Sequence, residues 1–155
     1  VLSEVPDGSE VEGIIMATGG EVQLALAAQG LLAGRGHAVR VVNMASWELF
    51  DDQPEAYRHE VLPPTVTARV AVEEASTMGW ERYTGSAGRV IGFNTFGLSA
   101  PIADLQQHVG FTAEHVADEM SACSRVRQLG EPGAGGQSPV AARPLPVAPA
   151  PLRSW

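Results

Sequence analysis

Apolar residues in this chain fall into short unbroken runs, separated by longer stretches in which they recur every third or fourth position. Val11-Glu12-Gly13-Ile14-Ile15-Met16-Ala17 is such a run, and Thr18-Gly19-Gly20 behind it is a turn signal. A run of this length without polar alternation predicts a central strand, buried on both faces. From Glu21 to Leu32, the residues Val22, Leu24, Ala25, Leu26, Ala28, Leu31 and Leu32 recur at helical spacing, with an acid in the first turn and Gly34 and Gly36 at the end. This predicts a helix of about three turns. His37 to Met44 (HAVRVVNM), Thr67 to Val72 (TARVAV) and Arg89 to Phe93 (RVIGF) repeat the strand signature, rich in valine.

Between these strands, Trp47 to Phe50 predicts a short helical turn. Glu55 to Leu62 predicts a helix stopped by Pro63-Pro64, because proline disfavours helix in the residue before it. Ala103 to Val109 and Thr112 to about Arg127 read as two more helices, the second with Thr112 as its cap and Glu114 near the positive end of the dipole. Strands alternating with helices imply an α/β domain with a mostly parallel sheet covered on both faces. After about Leu129 the pattern stops: EPGAGGQSPVAARPLPVAPAPLRSW holds six of the eleven prolines and predicts a Pro/Ala/Gly-rich disordered tail. The expected division is therefore a folded domain over 1–128 and a tail over 129–155. The Pro-Leu-Pro-Val-Ala-Pro segment within the tail has the form of an SH3 ligand, but such short matches arise often in Ala/Pro-rich coil.

Composition narrows the function classes. The 155 residues suffice for one domain with a sealed core. Ten arginines, no lysine and 18 acidic residues leave a net charge of -8, which opposes attraction to nucleic acid or anionic lipid. With 45% hydrophobic residues but no apolar run of the ~18 residues a membrane span needs, no membrane role is expected. The single cysteine, Cys123, and the lack of a secretory pattern point to an intracellular, cytoplasmic location. The start at Val1-Leu2 without methionine reads as a processed or excised piece.

Candidate chemistry is sparse. Thr18-Gly19-Gly20-Glu21 joins a strand to a helix, where free backbone N–H groups and the helix dipole could hold an anion. It has two glycines, short of the dinucleotide fingerprint, and no lysine for a phosphate loop, so a tight turn is the plainer reading. Glu73 and Glu74 follow the third strand at the sheet's carboxyl edge, where open α/β proteins place ligands. Neighbours on a strand point to opposite faces, a poor arrangement for a paired acid and base. Asp51-Asp52 reads as solvated charge. His37, His59, His108 and His115 are scattered, with no zinc spacing, so no metal is assigned. Cys123 lacks a nucleophile context and Ser99 lacks the Gly-x-Ser-x-Gly elbow, reading as a helix cap instead. Trp47, Trp80, Tyr83 and Phe96 are first required for packing. No catalytic, cofactor-binding or metal-binding residue is assigned.

The ordered blocks ATGGEVQLALAA, VVNMASWELFDDQ, AYRHEVLPPTVTARVAVE, GWERYTG, IGFNTFGLSAP and HVGFTAEHVA, spanning Val1 to Ala117, resemble the C-terminal domain of the transketolase family. The resemblance implies a three-layer α/β/α sandwich on a five-stranded mixed sheet, four strands parallel and one, entering at Val1-Leu2, antiparallel. It implies a parent enzyme that moves a two-carbon ketol unit between sugar phosphates on thiamine diphosphate, with a divalent metal, magnesium or calcium, holding the diphosphate. In that family the cofactor lies between the two preceding domains across a homodimer. This chain is then expected to bind no cofactor, to be silent alone, and to have those domains and a second subunit as partners. The rival is a freestanding anion- or nucleotide-binding module using Thr18 to Glu21. Gly20 stands where the family usually has serine, Asn43 and Ala45 replace the usual Ser and Pro, and Glu74-Ala75 replace the usual Ala-Gly. The chain also runs on past Ala117 where the family ends soon after, as a natural extension or a shifted frame would produce.

Overall fold

Strand β1, Gly13–Ala17, is buried at all five positions, and it sits inside the sheet rather than at an edge. The computed structural model describes residues 1–5, 8–92 and 110–129. After β1 come α1 (Glu21–Gly34), β2 (Val39–Asn43), α2 (Trp47–Asp51), α3 (Glu55–Val61), β3 (Arg69–Glu73), α4 (Glu81–Thr84), β4 (Arg89–Gly92) and α5 (Ala113–Leu129). The strands form a parallel sheet in the order β2-β1-β3-β4. Ile15 pairs with Val41 on one side and Val70 on the other, and Ala71 pairs with Val90.

Alternation along each strand sorts the core into two clusters. Ile15, Val41, Val70, Val72 and Ile91 pack with Ala25, Ala28 and Leu32 of α1 and Val116, Ala117 and Met120 of α5. Ile14, Met16, Val42, Ala71 and Val90 face the other way, onto Val61, Leu62, Val66, Trp80 and Tyr83. Helices therefore cover both faces, as a parallel sheet of apolar strands requires.

Local chemistry sets the helix ends. Ser46 caps α2 by accepting from the Leu49 N–H at 3.2 Å. Thr112 does the same for α5 through the His115 N–H at 3.2 Å, as the sequence predicts. Gly36, at φ 82°, makes the left-handed turn that ends α1. The helix α4 is absent from the sequence-based reading: its four residues are too few to show a period.

The anticipated fifth, antiparallel strand is present only as a one-residue bridge between Ser3 and Val41. The next pair to exchange bonds would be Val5 with Val39, and there the Val39 carbonyl accepts from the Gln29 amide at 2.8 Å instead. The Glu4 carbonyl accepts from the buried Gln29 amide at 3.1 Å, and its carboxylate from Arg40 Nε at 3.0 Å. The described sheet thus has four parallel strands. Three expectations, the 103–109 helix, the Ser99 cap and the tail beyond Leu129, lie outside the described residues, as do His108 and Phe96.

Candidate functional site

In the order β2-β1-β3-β4, the chain goes from β1 to one side of the sheet and then returns to the other, so the reversal falls between β1 and β3. The crevice at the carboxyl ends of two such strands is where doubly wound sheets place ligands. Here it is bounded by the turn after β1, Thr18 to Gly20, and by Glu73 and Glu74 after β3.

Gly19 takes φ 58°, which lets the chain reverse into α1. Gly20 is in the right-handed helical region and offers no side-chain cap, so the first turn is closed by a bond from the Gln23 N–H to the Gly20 carbonyl at 3.3 Å. Glu21 folds back over this turn: its Oε2 lies 3.4 Å from where a Cβ on Gly19 would stand. Glu73 lies within reach of the Glu21 charge, and Glu74 shares a hydrogen bond with Glu21. β3 ends at Glu73, and Glu74 stands exposed in the bend that follows.

Three carboxylates at one edge raise the cost of ionisation. Burial, and then the charge of Glu21, push the Glu73 carboxyl above the ordinary range. The indole of the buried Trp80 works in the opposite direction, favouring the ionised form. Glu74 is raised too, by desolvation first and then by its hydrogen bond with Glu21. An anion approaching the Gly19-Gly20 amides would meet this negative field. Among the described residues no group of three or more His, Cys, Asp or Glu side chains could hold a metal ion.

The other candidates are placed as follows. His37 lies 3.7 Å from Glu12 and His59 lies 3.6 Å from Glu55, while His115 packs beside Gly110. Cys123 is buried, and burial pushes its thiol up, away from the nucleophilic thiolate. Asp51 is not merely solvated: it accepts from the Tyr83 hydroxyl at 3.0 Å and from Arg82 at 3.4 Å. Trp47 stands edge-on to Trp80 and Tyr83, with ring centroids 5.2 and 5.5 Å away, and Phe50 joins them at 5.8 Å from Tyr83. These aromatics form one packed knot, with Trp80 wholly buried.

Sequence reasoning missed a second feature, on the face that carries this knot. A cleft of about 870 Å³ opens between α3 and α4, lined among others by Phe50, Arg58, Leu62, Arg69, Tyr83 and Ser86. Arg69 forms its floor. Its guanidinium donates to the carbonyls of Val66 (2.8 Å), Tyr83 (2.6 Å), Leu62 (3.2 Å) and Pro63 (2.8 Å). Burial lowers its pKa. The available signal was an arginine within the apolar run Thr67 to Val72, where a charge has to be buried together with its partners.

Residues 1–112 match the family model described as "Transketolase-like TK C-terminal domain". The transketolase of Aquifex aeolicus is 54% identical over 107 residues, covering 69% of this chain and 16% of the relative. That of Geobacillus stearothermophilus is 45% identical over 116 residues, covering 75% and 17%. Among solved structures, the transketolase of Leishmania mexicana superposes with a TM-score of 0.71 at 36% identity, over 86% of this chain and 18% of that one. A Pichia stipitis transketolase reaches 0.73 at 32% identity, over 82% and 18%. The chain thus spans about a sixth of the length of the relatives it matches. On the family match and these identities together, the chain belongs to the transketolase C-terminal domain family.

Proposed function

We propose that this chain is the C-terminal structural domain of a transketolase, silent in catalysis alone, which packs against the preceding domains and supports the dimer. The observation that carries this reading is the family match over 1–112 to relatives of which the chain covers only 16–17%. The rest of such an enzyme supplies thiamine diphosphate chemistry and the divalent metal, while this domain supplies packing surface. In that setting the Ser3 bridge is the end of a fifth, antiparallel strand, and the covered sheet is the middle layer of an α/β/α sandwich. A related solved structure, "Split gene transketolase, inactive beta4 tetramer", supports the division of labour. It is 25% identical with a TM-score of 0.50, and is covered to 39% by this chain.

A cytoplasmic location belongs to the same reading, although several plant relatives carry "chloroplastic" in their names. Among the described residues no helix is long and apolar enough to cross a membrane.

The test is thermal unfolding of the chain with thiamine diphosphate and magnesium, and separately with nucleotides, alongside a ketol-transfer assay with and without a transketolase truncated before this domain. A ligand that binds the native state must raise Tm by mass action. The expected outcome is no shift and no activity alone, with activity restored on mixing. Ketol transfer by the isolated chain sinks the reading. A saturable nucleotide response centred on Thr18 to Glu21 replaces it with the binding-module alternative.

A further inference from the structure

The cleft between α3 and α4 has a use that a packing role does not require. Three arginines line it, and each is engaged differently. Arg69 has donors on four carbonyls, while among the described residues no carboxylate neutralises its charge. Arg82 is balanced by Asp51, which Tyr83 also engages. Arg58, on α3, has neither: its Nε is buried without a hydrogen-bond partner, and among the described residues no carboxylate pairs with it. The acidic groups that line the same cleft are Asp51, held by Arg82 and Tyr83, and Glu55, beside His59. The cleft is therefore cationic on balance in a chain whose net charge is -8.

Arginine presents a planar fork of donors that matches phosphate and carboxylate oxygens in a bidentate way. A half-buried guanidinium with an unmet donor is costly unless an acceptor arrives. The cleft also has hydroxyls to complete such a contact, from Thr67 and Ser86, and apolar walls from Phe50, Leu62 and Val66. Its volume of about 870 Å³ lies within the range of small-molecule sites, and is much larger than a bare phosphate needs.

We propose that this cleft is an oxyanion-binding site for a small phosphorylated or carboxylated molecule with an apolar body, with Arg58 as the anion's principal partner. The site lies apart from the acidic crevice between β1 and β3, and the proposal stands independently of the structural role above. Arg69 holds the floor in place and adds long-range attraction, while its own donors stay on the carbonyls. The apolar body rests against Phe50 and Leu62.

Phenyl phosphate, benzoate, inorganic phosphate and neutral benzyl alcohol, each titrated into the full chain at constant ionic strength and followed by amide chemical shifts, provide the test. Expected are saturable shifts confined to residues 55–67 and 82–87, with phenyl phosphate at least tenfold tighter than inorganic phosphate. Comparing phenyl phosphate with benzoate assigns the anion. Arg58→Gln should weaken binding at least tenfold, and Arg58→Lys, which keeps the charge and loses the fork, should fall between. Far-UV circular dichroism checks that both variants fold. The proposal is overturned if no anion gives saturable shifts in the wild-type chain, if benzyl alcohol binds as tightly as phenyl phosphate, or if Arg58→Gln binds unchanged.

Discussion

The two ends of the third strand treat charge in opposite ways. At its carboxyl end, Glu73 and Glu74 face Glu21, so like charges meet at a half-buried edge and both carboxyls of the pair are pushed toward the protonated form. At its amino end, Arg69 points among carbonyls at the ends of α3 and α4, Leu62 and Tyr83, and in the turn that follows α3, Pro63 and Val66, and all four accept from it. Arg40 performs a related task nearby, donating to the carbonyls of Glu60 and Val61 at 2.6 and 3.1 Å. Helix C-termini leave carbonyls without intrahelical donors, and a guanidinium meets several at once. A charge beside a sheet is thus cheap where the backbone offers complementary dipoles and strained where the neighbours share its sign.

The sharpest way to break this comparison is Arg69→Met. The substitution keeps much of the apolar stem and strips the donors from four carbonyls in a partly buried setting. We expect a loss of roughly 3 kcal/mol in urea unfolding, since unmet buried acceptors are more costly than the net value of the bonds. A loss below about 0.5 kcal/mol would show that water replaces the guanidinium and that the amino end is not held by it. Tyr83→Phe acts on the same side with a smaller effect. It removes the hydroxyl that donates to Asp51 and leaves the aromatic knot intact. A loss of about 1 kcal/mol is expected by the same measurement, the usual value of one partly buried hydrogen bond.

How far this contrast was legible in the sequence depends on the range of the interaction. The four strands and α1 were readable because each buries a local run against neighbours on both faces, so period and composition suffice. Thr112 as the cap of α5 was readable for the same reason, being a bond across three residues. The meeting of Glu21 with Glu73 and Glu74 was not, because it depends on β1 and β3 being sheet neighbours although α1, β2, α2 and α3 separate them in the chain. The role of Asp51 was hidden similarly, its partners Arg82 and Tyr83 lying more than thirty residues away. The Arg58 cleft requires α3 and α4 to be placed, and α4 itself is too short to be predicted.

The smallest expected effect tests the acidic end, and its sign matters more than its size. A carboxyl whose folded pKa is raised above its ordinary value of 4.5 binds protons more readily in the native state than in the unfolded chain. Stability then falls as pH rises through the interval between the two values, because in that interval the native state holds more protons. Stability should therefore fall as pH rises above the ordinary glutamate value, where Glu73 and Glu74 come to ionise beside Glu21. Glu74→Gln removes one charge from the group at an exposed position, where solvent screening limits the gain to about 0.3 kcal/mol. It should raise stability at pH 7, leave it unchanged near pH 4, and flatten the curve between. Urea unfolding at four pH values reads this directly. A variant less stable than the parent at pH 7 would mean that Glu74 is held by an attraction, which would invert the contrast between the two ends of the strand.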